Sequence, residues 1–311
     1  MKVRGCNCFV PMLLHSPSAQ RTYCRIKAAD LLSAAAPHGH DLFTYDDDDY
    51  MSDVKTAPDL RIEDGVAVIT FCWPEKLNAL NPTVQHEISR LFDELPRNPD
   101  VRVIVLTGEG RGFCVGDDLK YVVDSGDTEL PEMGFAGIGK RGPDYPLPII
   151  GAINGFAMGG GCEIALACDL LIAAEEAVFA LPEPKIGWSA ITGGVQRLTR
   201  EIGIKQALGI VLTGRNVSAA EAKSLGFVNE VVPGPELLPT AMRWARQIAE
   251  CAPLATRCSK QIAYMCLDVP DFATMMREDT YPLARVVYES HDAKEGLRAW
   301  VERRKPNWKG N

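Results

Sequence analysis

The chain has 311 residues, of which 46% are hydrophobic and 24% charged, a composition that supports one large core, or one domain with an appendage. Acidic side chains outnumber basic ones, 41 to 33, and the net charge of -8 argues against a nucleic-acid surface built on bulk electrostatics. No run of about 18 apolar residues occurs, so no membrane-spanning helix is predicted.

Residues 1–50 read differently from the rest. Up to Lys27 they carry Lys2, Arg4, Arg21 and Arg25 and no acid, in the manner of a mitochondrial transit peptide, yet Asp46 to Asp49 is an acidic run that such peptides avoid. They are expected to be a targeting or disordered extension, and residues 51–311 the folded domain. Of the ten cysteines, Cys6 and Cys8 lie too close for a zinc knuckle and no C-x-x-C pair exists. Cys162 and Cys168 flank an apolar helical stretch and are expected to be buried thiols. A reducing compartment follows, the cytoplasm or, if residues 1–50 are a transit peptide, the mitochondrial matrix.

Patterning begins at Leu60. Leu60 to Glu63 alternates, Asp64-Gly65 is a hairpin turn, and Val66 to Phe71 is the return strand. Asn81 as N-cap and Pro82 at the first position start an amphipathic helix to about Leu95. Val101–Leu106, Pro148–Ile153 and Leu170–Ala173 are buried strands. Beyond about residue 190 the pattern predicts helices near 194–213, 218–225, 235–250, 254–266, 271–288 and 292–304. Strands first and helices last indicate an α/β core followed by a helical region.

Several chemistries lose their candidates. There is no P-loop. Gly108 to Gly112 lacks the spacing of a dinucleotide fingerprint, and Gly187-Trp188-Ser189-Ala190-Ile191 misses the closing glycine of a nucleophile elbow. Of five histidines, His15, His38 and His40 lie in the extension and His86 on the amphipathic helix, leaving His291. His38 and His40 read as part of a solvated tail, and no metal site is expected.

What remains is a constellation in two halves, Gly112 to Lys120 and Asn154 to Glu163, each read as a glycine-bearing turn that leaves a buried strand and opens a helix. Glycines let a ligand approach the main chain, and helix-start N–H groups favour negative charge. Two such turns can aim one N–H each at a single oxygen, as an oxyanion hole does. The alternative is that Gly159-Gly160-Gly161 serves only close packing. Two carboxylates favour the first reading: Glu163 in the first helical turn, and Glu183 held between Pro182 and Pro184.

These residues resemble the enoyl-CoA hydratase/isomerase (crotonase) superfamily. The matching stretches, in family order, are KLNALN (76–81), FCVGDDLK (113–120), INGFAMGGGCEIALACD (153–169), LPEPKIG (181–187), GGVQRL (193–198), LTGRNVSAAEAKSLGFVNEVV (212–232) and DAKEGLRAWVERRKPNWKG (292–310). The resemblance implies an α/β spiral of ββα units (about 58–250) with a C-terminal helical trimerisation region (about 251–311), assembled as trimers or hexamers. It implies a coenzyme A thioester as substrate and no separate cofactor. The thioester oxygen would lie between the N–H groups of Asp117 and Gly160. Glu163 and Glu183 would position a water and pass a proton to the α-carbon. Lys76, Ala79, Asp118, Leu119 and Lys120 would lie near the nucleotide and pantetheine. Trp308 and Lys309 would cover the nucleotide of a neighbouring subunit.

Both glutamates favour hydration of a 2-enoyl-CoA. The rivals are a double-bond isomerase or another acyl-CoA reaction on the same scaffold, and, more remotely, a non-catalytic RNA- or protein-binding member. Two departures stand out. Ala190-Ile191-Thr192-Gly193-Gly194 replaces the frequent Pro-Gly-x-Gly-Gly, and Ile191 with Trp188 is expected to reshape the acyl pocket. Asp117 stands where alanine is common, and its carboxylate would oppose a developing enolate unless it points away.

Overall fold

In the computed structural model, residues 57–142 and 144–311 are described. The readings of residues 1–50, including His15, His38, His40, Cys6 and Cys8, lie outside them.

Strand β1 (Asp59–Glu63) turns through Asp64-Gly65, both at positive φ, into β2 (Val66–Phe71). With β3 (Val103–Gly108), β5 (Ile149–Ile153), β7 (Leu170–Ala174) and β10 (Glu230–Val232) they form a six-stranded sheet in the order β1-β2-β3-β5-β7-β10. Only the β1–β2 pair is antiparallel. The parallel strands are near-continuous apolar runs because both faces are covered. Val66, Val68, Val103, Val105 and Ile150 pack on one side against helix α7 (Leu237–Ala249), through Leu237, Ala241, Met242 and Ala245. Their alternates Ala67, Ile69, Phe71, Ile104 and Leu106 face the main core.

A second sheet, β4-β6-β8-β9, consists of four short strands: Gly112–Cys114, Phe156–Met158, Val178–Ala180 and Val217–Ser218. It changes the reading of the glycine turns. These do not leave the long strands directly: the chain first passes from β3 to β4, and from β5 to β6, and only then reaches each turn. The unit is thus two strands, one in each sheet, followed by a helix: α2 (Leu119–Ser125) after β4 and α3 (Gly160–Ala167) after β6. The parallel pairing of β4 with β6 sets the two turns side by side.

Helix α1 (Pro82–Glu94) starts as its caps predict, with the Asn81 side chain accepting from the Val84 N–H at 3.0 Å. Val84, Ile88, Leu91 and Phe92 form its buried stripe. The predicted helix 194–213 is two helices, α4 (Gly194–Ile202) and α5 (Ile204–Val211), broken where Gly203 takes φ 80°. Helix α6 (Ala219–Leu225) is capped by Ser218. After α8 (Pro253–Met265), the predicted helix 271–288 is likewise divided, into α9 (Phe272–Met275) and α10 (Pro282–Glu289), because proline cannot continue a helix from upstream. Helix α11 (His291–Glu302) completes the C-terminal region, which has its own small apolar cluster around Cys258, Tyr281 and Ala284. Among the described residues no helix is long and apolar enough to cross a membrane.

Candidate active site

The site is assembled where the two turns meet. Leu80 forms a parallel bridge with the first of them: its N–H donates to the Gly116 carbonyl at 2.7 Å, and its carbonyl accepts from the Asp118 N–H at 2.9 Å. Extended backbone alternates the direction of its polar groups, so spending Asp118 on Leu80 turns the N–H of Asp117 the other way. In the second turn, Gly160 is the first residue of α3, and its N–H has no partner within the helix. Neither N–H meets an acceptor among the described residues.

The glycines divide the work between conformation and contact. Gly116 sits at φ 85°, and a Cβ there would lie 2.8 Å from the Gly160 nitrogen. Gly159, at φ 52°, turns the chain into α3. At Gly160 a Cβ would strike the Phe135 ring at 2.8 Å, and at Gly161 the Cys114 carbonyl oxygen at 1.9 Å. Close packing and an open amide therefore coincide at Gly160, while Gly161 serves packing and Gly159 the turn.

The two carboxylates flank this turn in unlike surroundings. Glu163 is 1% exposed, and both its oxygens are bonded. Oε1 accepts from the Gly194 N–H at 2.9 Å, and Oε2 accepts a short hydrogen bond from the Thr192 hydroxyl. Burial raises its pKa, while the Thr192 and Gly194 donors pull it back down. Glu183, 8% exposed, opens a single helical turn between the two prolines. Its Oε2 is buried and has no hydrogen-bond partner among the described residues, and its Oε1 would be 3.5 Å from a Cβ on Gly159. Burial, reinforced by the nearby charges of Glu163 and Asp117, pushes Glu183 up to about 7.

Asp117 is half-buried. Burial first, then Glu163 and Asp127, lift its carboxyl to about 6. Among the described residues its one side-chain partner is Gln85, whose Nε2 donates to Oδ1 at a long 3.5 Å. Asp117 lines a cavity of about 240 Å³ together with Tyr121, Trp188 and Ile191. Trp188 and Ile191, the two residues expected to reshape the acyl pocket, both line this cavity.

The other expected residues are placed as follows. Asp118 caps α2, accepting from the Tyr121 N–H at 3.2 Å, and pairs with Lys76 at 3.0 Å, so both of its oxygens are occupied within the fold. The Ala79 carbonyl accepts from the Trp73 indole at 2.6 Å. Leu119 and Lys120 are exposed on the first turn of α2. Trp308 lies far along the C-terminal segment, its indole donating to the Glu250 carbonyl at 2.7 Å and its ring against Gly296. Lys309 follows it, with its main-chain N–H bonded to buried Asp292 at 2.8 Å and its side chain exposed.

Two residues escaped the sequence reading. Thr192 is 2% exposed, and as the middle residue of Ile191-Thr192-Gly193 it looked like a spacer. Asn78, fully buried at φ 59°, ties the loop before α1 to the Gly112 turn by donating to the Glu109 and Gly112 carbonyls while accepting from the Trp73 N–H. An asparagine in a turn tolerates the left-handed conformation, the one signal that pointed to it. Cys162 and Cys168 are buried thiols as expected, each pushed up by burial.

Two strands, an amide-bearing turn and a helix, repeated and closed by a helical tail, define a crotonase-type α/β fold. A family model described as enoyl-CoA hydratase/isomerase matches residues 61–311. The chain is 37% identical over 243 residues to a probable enoyl-CoA hydratase of Mycobacterium leprae, covering 78% of this chain and 94% of that protein. It is 39% identical over 240 residues to a carnitinyl-CoA dehydratase of Proteus mirabilis, covering 76% and 92%. A crystal structure of enoyl-CoA hydratase from Mycobacterium tuberculosis H37Rv superposes with a TM-score of 0.76 at 35% identity, covering 82% and 99%. The chain belongs to the enoyl-CoA hydratase/isomerase family.

Proposed function

We propose that this protein adds water across the double bond of a 2-enoyl-CoA thioester. Water attacks the β-carbon, and the electron pair of the double bond moves through the α-carbon to the thioester oxygen. The N–H groups of Asp117 and Gly160 receive that enolate oxygen. Glu163, held as an anion by two donors, takes a proton from the water, and protonated Glu183 delivers one to the α-carbon. A proton returned from Glu163 to Glu183 restores the pair. The observation that carries this reading is the inequality of the two carboxyls: one bonded at both oxygens, the other with a bare buried oxygen and a pKa near 7.

Coenzyme A enters as part of the substrate, and we place its carrier arm along the exposed first turn of α2 at Leu119 and Lys120, beside Lys76. Exposed Tyr288, Leu297, Trp300 and Val301 on α10 and α11 support self-association of the C-terminal helices into a trimer. In that assembly Trp308 and Lys309 lie on the segment that would reach a neighbour's nucleotide.

A panel of trans-2- and 3-enoyl-CoA esters tests the chemistry. Loss of the conjugated thioester absorbance is the expected result. Appearance of that absorbance from a 3-enoyl ester would instead assign isomerisation. Glu163→Gln and Glu183→Gln should each abolish hydration while leaving acyl-CoA binding largely intact, and near-normal turnover by either would overturn the assignment.

A further inference from the structure

We infer that Arg197 is a positioning residue for the hydration site: its guanidinium ties the Phe135 turn to the start of α4, and its charge bears on Glu163. The inference rests on the hydration reading and adds to it the residue that holds the general base ready.

The Phe135 ring packs on the first residue of α3, where a Cβ on Gly160 would lie 2.8 Å from it. The chain around that ring is strained. Gly134, Ala136 and Gly137 take positive φ, 73°, 52° and 69°, and alanine is at no ease there. Such backbone persists only where its surroundings hold it. Helix α1 holds one side, with Gln85 Oε1 accepting from the Ala136 N–H at 3.3 Å. Arg197 holds the other: Nη1 donates to the Gly139 carbonyl at 2.7 Å and Nη2 to the Arg141 carbonyl at 3.3 Å. Gly139 in turn abuts Thr192, since a Cβ on it would lie 2.9 Å from the Thr192 carbonyl oxygen. The guanidinium passes across Gly193, where any Cβ would collide with Nη1. The two donors to Glu163, Thr192 and Gly194, stand on either side of that glycine.

Both hydrogen bonds of the guanidinium go to carbonyls, and among the described residues it forms no ion pair. Arg197 lines a cavity of about 320 Å³ whose other cations are paired: Arg141 with Asp93 at 2.6 Å, Arg200 with Asp268 at 2.9 Å, and Lys260 with Asp169 at 2.7 Å. The Arg197 charge acts on Glu201, one turn along α4, and on Glu163. Burial raises the Glu163 carboxyl, while the Thr192 and Gly194 donors and then Arg197 lower it. Cys168 and Tyr264 also feel the charge, but burial pushes both up and keeps them protonated at neutral pH. A guanidinium bonded directly to Glu163 would compete with water for the carboxylate. One held back on carbonyls favours the anion without blocking it.

Arg197→Lys and Arg197→Gln test this, because both lose the two-pronged fork and they differ by one charge. Steady-state hydration of crotonyl-CoA is followed from pH 5 to 9, with the melting temperature measured beside it. At pH 6, Arg197→Gln should lose kcat by roughly tenfold or more, with KM within about threefold of the wild type. The acid limb should stay at the wild-type pH in Arg197→Lys and move to higher pH in Arg197→Gln, so the gap between the two variants closes as pH rises. A brace with no electrostatic effect gives both variants one pH profile, and that result overturns the inference, as does wild-type kcat in Arg197→Gln. If Arg197→Gln does not fold, Arg197→Met, which keeps the packing of the stem, takes its place in the comparison. Failure of the wild type itself to hydrate crotonyl-CoA overturns the hydration reading, and this inference with it.

Discussion

Replacing Thr192 by valine removes one oxygen from the site and keeps the shape of the side chain. That oxygen donates to Oε2 of Glu163, a carboxyl only 1% exposed, so no water replaces the lost bond. A hydrogen bond to a charged group contributes about 1.5–3 kcal/mol. At about 1.36 kcal/mol per factor of ten, loss of that stabilisation lowers kcat/KM by roughly 10- to 150-fold where the anion is needed. The sign on the pH axis follows from the causes. Burial already raises the Glu163 pKa and the Thr192 bond restrains it, so the valine variant lets it climb further. The acid limb of the rate profile should move to higher pH, and the defect should shrink as pH rises. Steady-state hydration of crotonyl-CoA from pH 5 to 9, with Thr192→Ser as the variant that restores the hydroxyl, measures this. A valine variant with the wild-type acid limb and turnover would refute the reasoning, as would a serine variant equally impaired.

Other expectations follow from neighbouring features. Gly116→Ala places a Cβ 2.8 Å from the Gly160 nitrogen at a φ of 85°, so the amide pair is spread. Loss of one such donor corresponds to about 2.7–4 kcal/mol, and kcat should fall roughly 100- to 1000-fold in a stopped-flow or steady-state assay. In the proposed mechanism Glu183 carries a proton to the α-carbon, and its pKa is pushed up to about 7, so hydration should decline as pH rises through that value. The same group affects stability. Its folded pKa is raised, so its contribution is fully present below the ordinary carboxylate range and is lost as pH rises through about 7. Glu183→Gln should therefore melt above the wild type at pH 8, and the advantage should vanish near pH 4 by scanning calorimetry.

The parts of the fold that were legible in the sequence are those whose apolar spacing repeats. Val66 to Phe71 and Val103 to Leu106 are β-branched runs with both faces covered, and α1 has a cap, a proline and a stripe at helical spacing. The second sheet was not legible, because Gly112–Cys114, Phe156–Met158, Val178–Ala180 and Val217–Ser218 are too short to show a period. Gly203 and Pro282 each sat inside a pattern that read as one helix, and local backbone geometry won over apolar spacing. At the site, the glycine run and the two glutamates stood out by residue type and by their resemblance to a family. The Thr192 clamp did not, since it joins a hydroxyl to a carboxyl 29 positions away and only the folded chain brings them together. The same holds for Leu80, an ordinary core leucine in sequence, whose main chain decides which way the Asp117 N–H faces.

That Leu80 bridge has an evolutionary consequence. The direction of the Asp117 amide is set by main-chain pairing on either side of it, at Gly116 and Asp118, and owes nothing to the side chain between them. A codon change at 117 can therefore exchange that side chain without redirecting the amide. On the proposed mechanism, descendants of one ancestral scaffold can diverge in the side chain at this position while inheriting the same amide for the oxygen.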